Sequence, residues 1–190
     1  MIYDITQELF SGQVFLGDPS PHYEKVSDLE KGDLYNLTNM EICVHNATHI
    51  DAPSHFIQQG KTVDQIDLSR CIGTASVIEF HNVITDTDIH RKVPKNCKRL
   101  LIKGSGVLSS NAAKAINQKR ILLVGTESQS IGDIENPLPV HLELLQAEVI
   151  IIEGLQLEEV EAGTYKLIAL PLKLGGLEGS PCRAILVDKK

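Results

Sequence analysis

Nothing in this chain pairs its cysteines. The four of them, at positions 43, 71, 97 and 182, include no C-x-x-C pair and no zinc-finger spacing. Disulfide scaffolds and thiolate clusters are therefore not expected, and reduced, buried or half-buried thiols are. Long apolar runs are missing as well: the longest, VIII at 149–152, falls far short of the ~20 residues needed to cross a bilayer. The opening MIYDITQELF has neither a basic leader nor an apolar core, so no secretory signal is expected and the cytoplasm is the expected location. Basic residues are not in excess either. Eighteen Lys and Arg against 25 Asp and Glu give a net charge of -7, which makes nucleic acid and anionic membrane poor partners. Internal repeats and low-complexity linkers are absent, and Gly104-Ser105-Gly106 lacks the following Lys-Ser/Thr of a phosphate loop, so a plain turn is expected there.

What is present suits one ordinary domain, residues 1–190, with 42% hydrophobic and 23% charged residues and enough chain to bury a sizeable core. KRLLIKGSG (98–106) and KRILLVGTES (119–128) each read as a basic pair, an apolar run and a glycine turn. Between them VLSSNAAKAINQ, with its alanines and serine N-cap candidates, suits a helix. A second unit follows: Pro137 and Pro139 at a helix start, VHLELLQA, then the strand EVIIIEGL. YKLIALPL (165–172) and CRAILVD supply two more strands. The front half has short runs such as DLYNL, MEICVH and TASVIEF, which favour strands and hairpins. The expected class is α/β, with a mixed sheet and β-α-β crossovers in the C-terminal half.

Against this background CVHNATHIDAPSHF, 43–56, stands out, because it holds His45, His49, Asp51 and His55 while the other four of seven histidines are scattered. Single histidines such as His22, His81 and His90 read as structural. Three imidazoles and a carboxylate at this density are costly to bury without a shared partner, and a divalent metal is such a partner. The donor set suits zinc first or manganese, and argues against iron–sulfur chemistry. A straight strand would put the Cα atoms of His45 and Asp51 roughly 20 Å apart, and a helix would carry Asp51 about 240° away from His45. A bent loop or irregular helical turn is expected, and Pro53 fits it.

The crossover reading adds two residues. A helix in such a unit begins near the carboxyl edge of the preceding strand, so His141 should lie at that edge, and Glu153 ends the next parallel strand at the same edge. A solvated strand end and an ordinary helix residue are the alternative for this pair.

HNATHIDAPSHF resembles the HxGTHxDxPxHF signature of the cyclase family of metal-dependent hydrolases, which includes bacterial kynurenine formamidase and isatin hydrolase. The resemblance runs along nearly the whole chain: YDITQELFSGQVFLGDP, GTESQSIGD, HLELLQAEVIIIEGLQLEEV and LPLKLGGLEGSPCRAIL are similar, in order, to family segments. It implies a swivelling β/β/α domain, commonly a homodimer or homotetramer, acting on a small-molecule amide, formamide or lactam. It implies one or two ions per chain, the first held by His45, His49 and Asp51 and the second by Asp51, His141 and Glu153, with His55 in proton transfer. Ala47 replaces a family glycine, Phe15-Leu16 a frequent Trp-Pro, and Glu127 and Glu178 two aspartates. No ligand position is lost, and the resemblance implies an arylformamidase-like activity, although the absence of any tryptophan weakens the case for an aryl substrate.

Three readings stay open at this level. A catalytic metal keeps one coordination position for water, whereas a binding protein with a structural metal fills every one, and a thiol enzyme would need Cys43 or Cys182. His55 is either a proton shuttle or a further ligand.

Overall fold

The alternation of apolar side chains along the central strands determines the architecture. In the computed structural model, which describes residues 1–188, the chain forms β1 (Ile2–Asp4), β2 (His22–Ser27), β3 (Leu37–Glu41), β4 (His49–Asp51) and β5 (Ile72–Glu79), then β6 (Val83–Ile84) and α1 (Asp86–Lys92). It continues through β7 (Arg99–Lys103), β8 (Val107–Leu108), α2 (Ser110–Gln118), β9 (Leu123–Thr126), α3 (Leu138–Gln146), β10 (Ile150–Glu153), β11 (Gly163–Pro171) and β12 (Gly179–Asp188). Strands β5, β7, β9 and β10 run parallel in that order, and β10–β4, β4–β12, β12–β11 and β11–β5 are antiparallel. The last pairings bring the sheet back to its start, so these seven strands close into a mixed barrel, with β1 added alongside β12.

Leu101, Leu123, Ile150 and Ile152 point into the barrel with Ile50, Leu167 and Leu186. Their neighbours Leu100, Ile102, Val124 and Ile151 point outward, onto Ile89 of α1, Ile116 of α2 and Leu144 of α3. Strands buried on both faces read as near-continuous apolar runs, which is why LLI and VIII were legible as strands. The crossover order β7–α2–β9–α3–β10 matches the sequence reading. Ser109 caps α2 by accepting from the Ala112 N–H.

Three expectations need correction. DLYNL is not a strand: among its residues only Leu37 enters β3, and MEICVH leaves β3 after Glu41. TASVIEF is a strand, but its neighbours are the parallel β7 and the distant β11, not a hairpin partner. Helix α1 went unread although Thr85 and Asp88 form a reciprocal capping box at its start; at seven residues it is too short to show a periodic stripe. The β2–β3 hairpin, by contrast, stands apart from the barrel and is exposed along nearly all of its length.

Candidate functional site

Register and side-chain alternation build the site. In β4, Ile50 faces the barrel interior, so His49 and Asp51 face outward, as side chains two apart in a strand must. His49 pairs with Glu153 and Asp51 with Ile151 of β10. Because Ile151 lies in the outer, helix-facing core, Glu153 shares that face. Cross-strand partners bring their Cβ atoms to about 4.5–5.5 Å, and α3 lays His141 over them from its first turn. The segment before β4 is bent as expected: Asn46 donates its backbone N–H to the Cys43 carbonyl, and its side-chain oxygen accepts from the Cys43 N–H. Asn46-Ala47-Thr48 matches the N-x-S/T glycosylation motif, but Asn46 is fully buried and is not an accessible acceptor. Ala47 has a φ of 55°, a left-handed conformation that glycine adopts without cost; this explains why glycine is the family residue there. The expectation of an irregular segment fails only for His49–Asp51, a short regular strand.

The resulting distances are tight. His45 Nδ1 lies 3.0 Å from Asp51 Oδ1, His49 Nε2 lies 3.4 Å from the same oxygen and 3.6 Å from Glu153 Oε2, and His141 Nε2 lies 3.2 Å from Glu153 Oε1 and 3.7 Å from Asp51 Oδ2. Two groups follow, His45–His49–Asp51 and Asp51–His141–Glu153, each with candidate donor atoms within 4.8 Å of one another. Donors about 2.0–2.1 Å from one tetrahedral ion sit roughly 3.3 Å apart, so the spacing fits. Asp51 belongs to both groups and is completely buried.

The hydrogen bonds around the cluster make the same point. His49 Nδ1 is 3.0 Å from the Ala47 carbonyl and His141 Nδ1 is 2.8 Å from that of Pro137. A carbonyl only accepts, so both Nδ1 atoms carry a hydrogen and both Nε2 atoms are turned to the carboxylates. Lone pairs facing each other at this range need a proton or a metal ion between them. In addition, Asp51 Oδ2 and His45 Nε2 are buried without a hydrogen-bond partner among the described residues, which is unusual for native polar atoms unless an ion or water completes them. Glu153 Oε1 also accepts from the Ile131 N–H at 2.7 Å, and the Phe56 ring lies 4.6 Å from that of His141.

Proton affinities follow from the same contacts. Burial alone would lower His49, but the Asp51 and Glu153 carboxylates more than reverse it and hold its pKa at about 10. Burial likewise opposes His141, and Glu153 raises it. Burial would raise Asp51, yet His45 and His49 hold it well below the usual carboxylate range. Burial lowers His55. Below pH 10 the metal-free site therefore holds a proton on His49, and a metal ion must expel it. Titration of metal-free protein with Zn²⁺ at pH 7.5 should release at least one proton per site, with affinity rising as pH rises. Calorimetry in buffers of different ionisation enthalpy reads this directly, and heats independent of the buffer would rule it out.

His55 sits apart from both groups. It ends a 3₁₀ turn, Pro53–His55, with its ring 4.1 Å from that of His45 and 6.1 Å from that of His141. A cavity of about 210 Å³ reaches the cluster, lined by His45, His49, His55, His141 and Glu153 together with Phe15, Asp18, Phe56, Gln129 and Ser130. Sequence reasoning passed over several of these. Ser130, whose buried hydroxyl lacks a partner among the described residues, lies in the loop after β9 at the carboxyl edge where α/β sheets bind ligands, a signal that was available. Asp18 carried no such signal.

The remaining candidates take ordinary places. His22 and His81 pair with Glu41 and Glu79 at the surface, and Arg183 pairs with Asp4. All four cysteines are free. Burial pushes the Cys71 thiol to about 11 and the Cys182 thiol to about 12, which makes them poor nucleophiles at neutral pH.

Known proteins resemble the chain on three levels. The "Cyclase" family model matches residues 3–133. Kynurenine formamidase of Bacillus thuringiensis (strain Al Hakam) is 30% identical over 96% of this chain and 95% of its own length. Cyclase-like protein 2 of Oryza sativa subsp. japonica is 31% identical over 84% of this chain and 68% of its own. Among solved structures, a potential metal-dependent hydrolase with cyclase activity superposes with a TM-score of 0.85 at 28% identity, covering 100% of this chain and 98% of that one. Isatin hydrolase A from Labrenzia aggregata reaches the same TM-score at 23% identity, covering 100% and 94%, a likeness of fold alone.

Proposed function

The chain belongs to the cyclase family, and from that premise we propose that it is a metal-dependent hydrolase of a C–N bond other than a peptide bond, in a small amide, formamide or lactam. The observation that carries the reading is the convergence of imidazole nitrogens and carboxylate oxygens at metal-ligand spacing beneath an open cavity. His45, His49 and Asp51 would hold one divalent ion and Asp51, His141 and Glu153 a second, with zinc favoured by the nitrogen and oxygen donor set. Such an ion, when bound, lowers the pKa of water from ~15.7 towards ~7 and polarises a carbonyl.

The chain's own residues do the rest. His55, kept neutral by burial, takes the proton from the attacking water and returns it to the leaving nitrogen. The Ala47 and Pro137 carbonyls hold His49 and His141 in one tautomer, as outer partners of metal-binding histidines do. Phe15 and Phe56 give the cavity apolar walls, and its volume, below the ~300–1,000 Å³ of larger ligand sites, suits a compact substrate such as a single ring with one carbonyl. The open cavity supports catalysis over a closed structural site.

The finer features of the family are carried here as part of the proposal: the swivelling β/β/α description of the one domain, a cytoplasmic location and a homodimer or homotetramer. Exposed Tyr23 and Met40 on the β2–β3 hairpin, with Leu34 and Tyr35 in its connecting loop, support assembly, because an isolated two-stranded ribbon is only marginally stable in water. No helix among the described residues is long and apolar enough to cross a membrane.

Two measurements test the reading. Purified protein is to be screened on N-formyl aromatic amines, cyclic imides and isatin-like lactams with and without chelator, and turnover that survives complete metal removal would overturn it. Metal should also stabilise the fold by about 2.7 kcal/mol when free ion is a hundredfold above its dissociation constant, a rise of about 5–10 °C in Tm for a chain of this size. A melting temperature indifferent to metal would exclude a tightly held ion.

A further inference from the structure

The three histidines of the two ligand groups are not held alike. His49 and His141 each commit Nδ1 to a backbone carbonyl and turn Nε2 to the carboxylates. His45 is reversed: its Nδ1 faces Asp51 Oδ1 at 3.0 Å, and its Nε2 is the buried atom without a hydrogen-bond partner. That side of the ring lies against the start of β12, where a Cβ built on Gly179 would come within 2.8 Å of His45 Cε1 and 3.2 Å of Nε2. The Glu178 carboxylate stands 3.7 Å from Nε2, just outside hydrogen-bond reach. Its backbone is fixed, since the Glu178 carbonyl accepts from the Ala52 N–H at 2.8 Å and Gly179 is in register with Asp51.

We propose that Glu178 is a positioning residue for His45, accepting a hydrogen bond from Nε2–H and so leaving the Nδ1 lone pair to face Asp51 and the ion. The absence of a side chain at Gly179 makes the room in which the ring can take this orientation. Glu178, just before β12, thus supplies for His45 what the Ala47 and Pro137 carbonyls supply for the other two. A neutral imidazole has one N–H and one lone pair, so fixing the first fixes where the second points. Each histidine then has its outer nitrogen engaged, the arrangement that metal-binding imidazoles adopt.

The inference rests on the reading that His45 holds a divalent ion, and the test separates the two. In ¹⁵N-histidine-labelled protein loaded with Zn²⁺ alone, the ring-nitrogen spectrum should show His45 bound through Nδ1 with Nε2 protonated, and His49 and His141 in the opposite tautomer. Signals of His45 are assigned by their loss in His45→Asn. Glu178→Ala should weaken Zn²⁺ binding about 10- to 100-fold, the usual cost of removing such a partner, and should broaden or shift the His45 signals while those of His141 stay in place. Glu178→Gln, whose amide oxygen can still accept, should recover part of the affinity. His45 bound through Nε2, or Glu178→Ala with wild-type Zn²⁺ affinity, would overturn the role of Glu178 while leaving the metal reading intact. No Zn²⁺ binding by the wild type would end both.

Discussion

Asp51→Asn should empty both ligand groups at once and abolish turnover, the largest effect expected of any single substitution in this chain. Asp51 is the one residue common to the two groups. It is fully buried, with Oδ1 facing His45 and His49 and Oδ2 facing His141. Asparagine keeps the shape but replaces one oxygen by an N–H₂ group that cannot ligate, and it removes the negative charge that holds His45 and His49 in place. Loss of activity should exceed the ~10²- to 10⁴-fold that removal of a proton shuttle costs, because the supply of nucleophile at neutral pH depends on the ion. Elemental analysis should find almost no metal, and the melting temperature should match that of chelator-treated wild type and ignore added Zn²⁺. Asp51→Asn protein that keeps two ions, or turns over within tenfold of wild type, would show that Asp51 does not bridge.

His55→Ala should behave in a different way. His55 belongs to neither ligand group and meets them through ring contacts with His45 and His141, so the variant should retain its metal and its fold while losing roughly 10²- to 10⁴-fold in turnover. A parallel fall in metal content would make His55 a ligand. The pH dependence gives a second reading. Burial moves His55 below its ordinary value of 6.5, and a base must be unprotonated to act, so activity should rise with pH through a limb on the acid side of neutrality and reach a plateau above it. Replacing zinc by manganese should leave a limb due to His55 nearly still and move one due to water. Full turnover by His55→Ala on the best substrate would remove the shuttle from the mechanism without touching the metal site.

Much of this is legible in the sequence alone. LLIK, LLVGT and VIIIE announced buried parallel strands because a strand covered on both faces has no polar positions to break the run. The helices between them were announced by Ser109 and by Pro137. From that order alone His141 and Glu153 were expected at one sheet edge, and they lie 3.2 Å apart. Helix α1 was missed for want of length. DLYNL was misread because its apolar residues satisfy a strand pattern locally, while the chain turns there.

The donor atoms and their chemistry were determined by the sequence by itself: three imidazoles and a carboxylate within eleven positions admit few economical explanations, since every buried polar group must find a partner. Only the tertiary structure decided how they meet. Strand β4 is three residues long, too short for any periodic signal, yet it pairs with β10 on one side and β12 on the other and so closes the barrel. A slip of one residue in either pairing would turn His49 and Asp51 into the apolar interior and Ile50 toward the histidines. That register also carries Glu178 from the far end of the chain to the edge of His45. Pairing between strands more than a hundred residues apart is set by the fit of whole faces, and no local stretch of sequence records it.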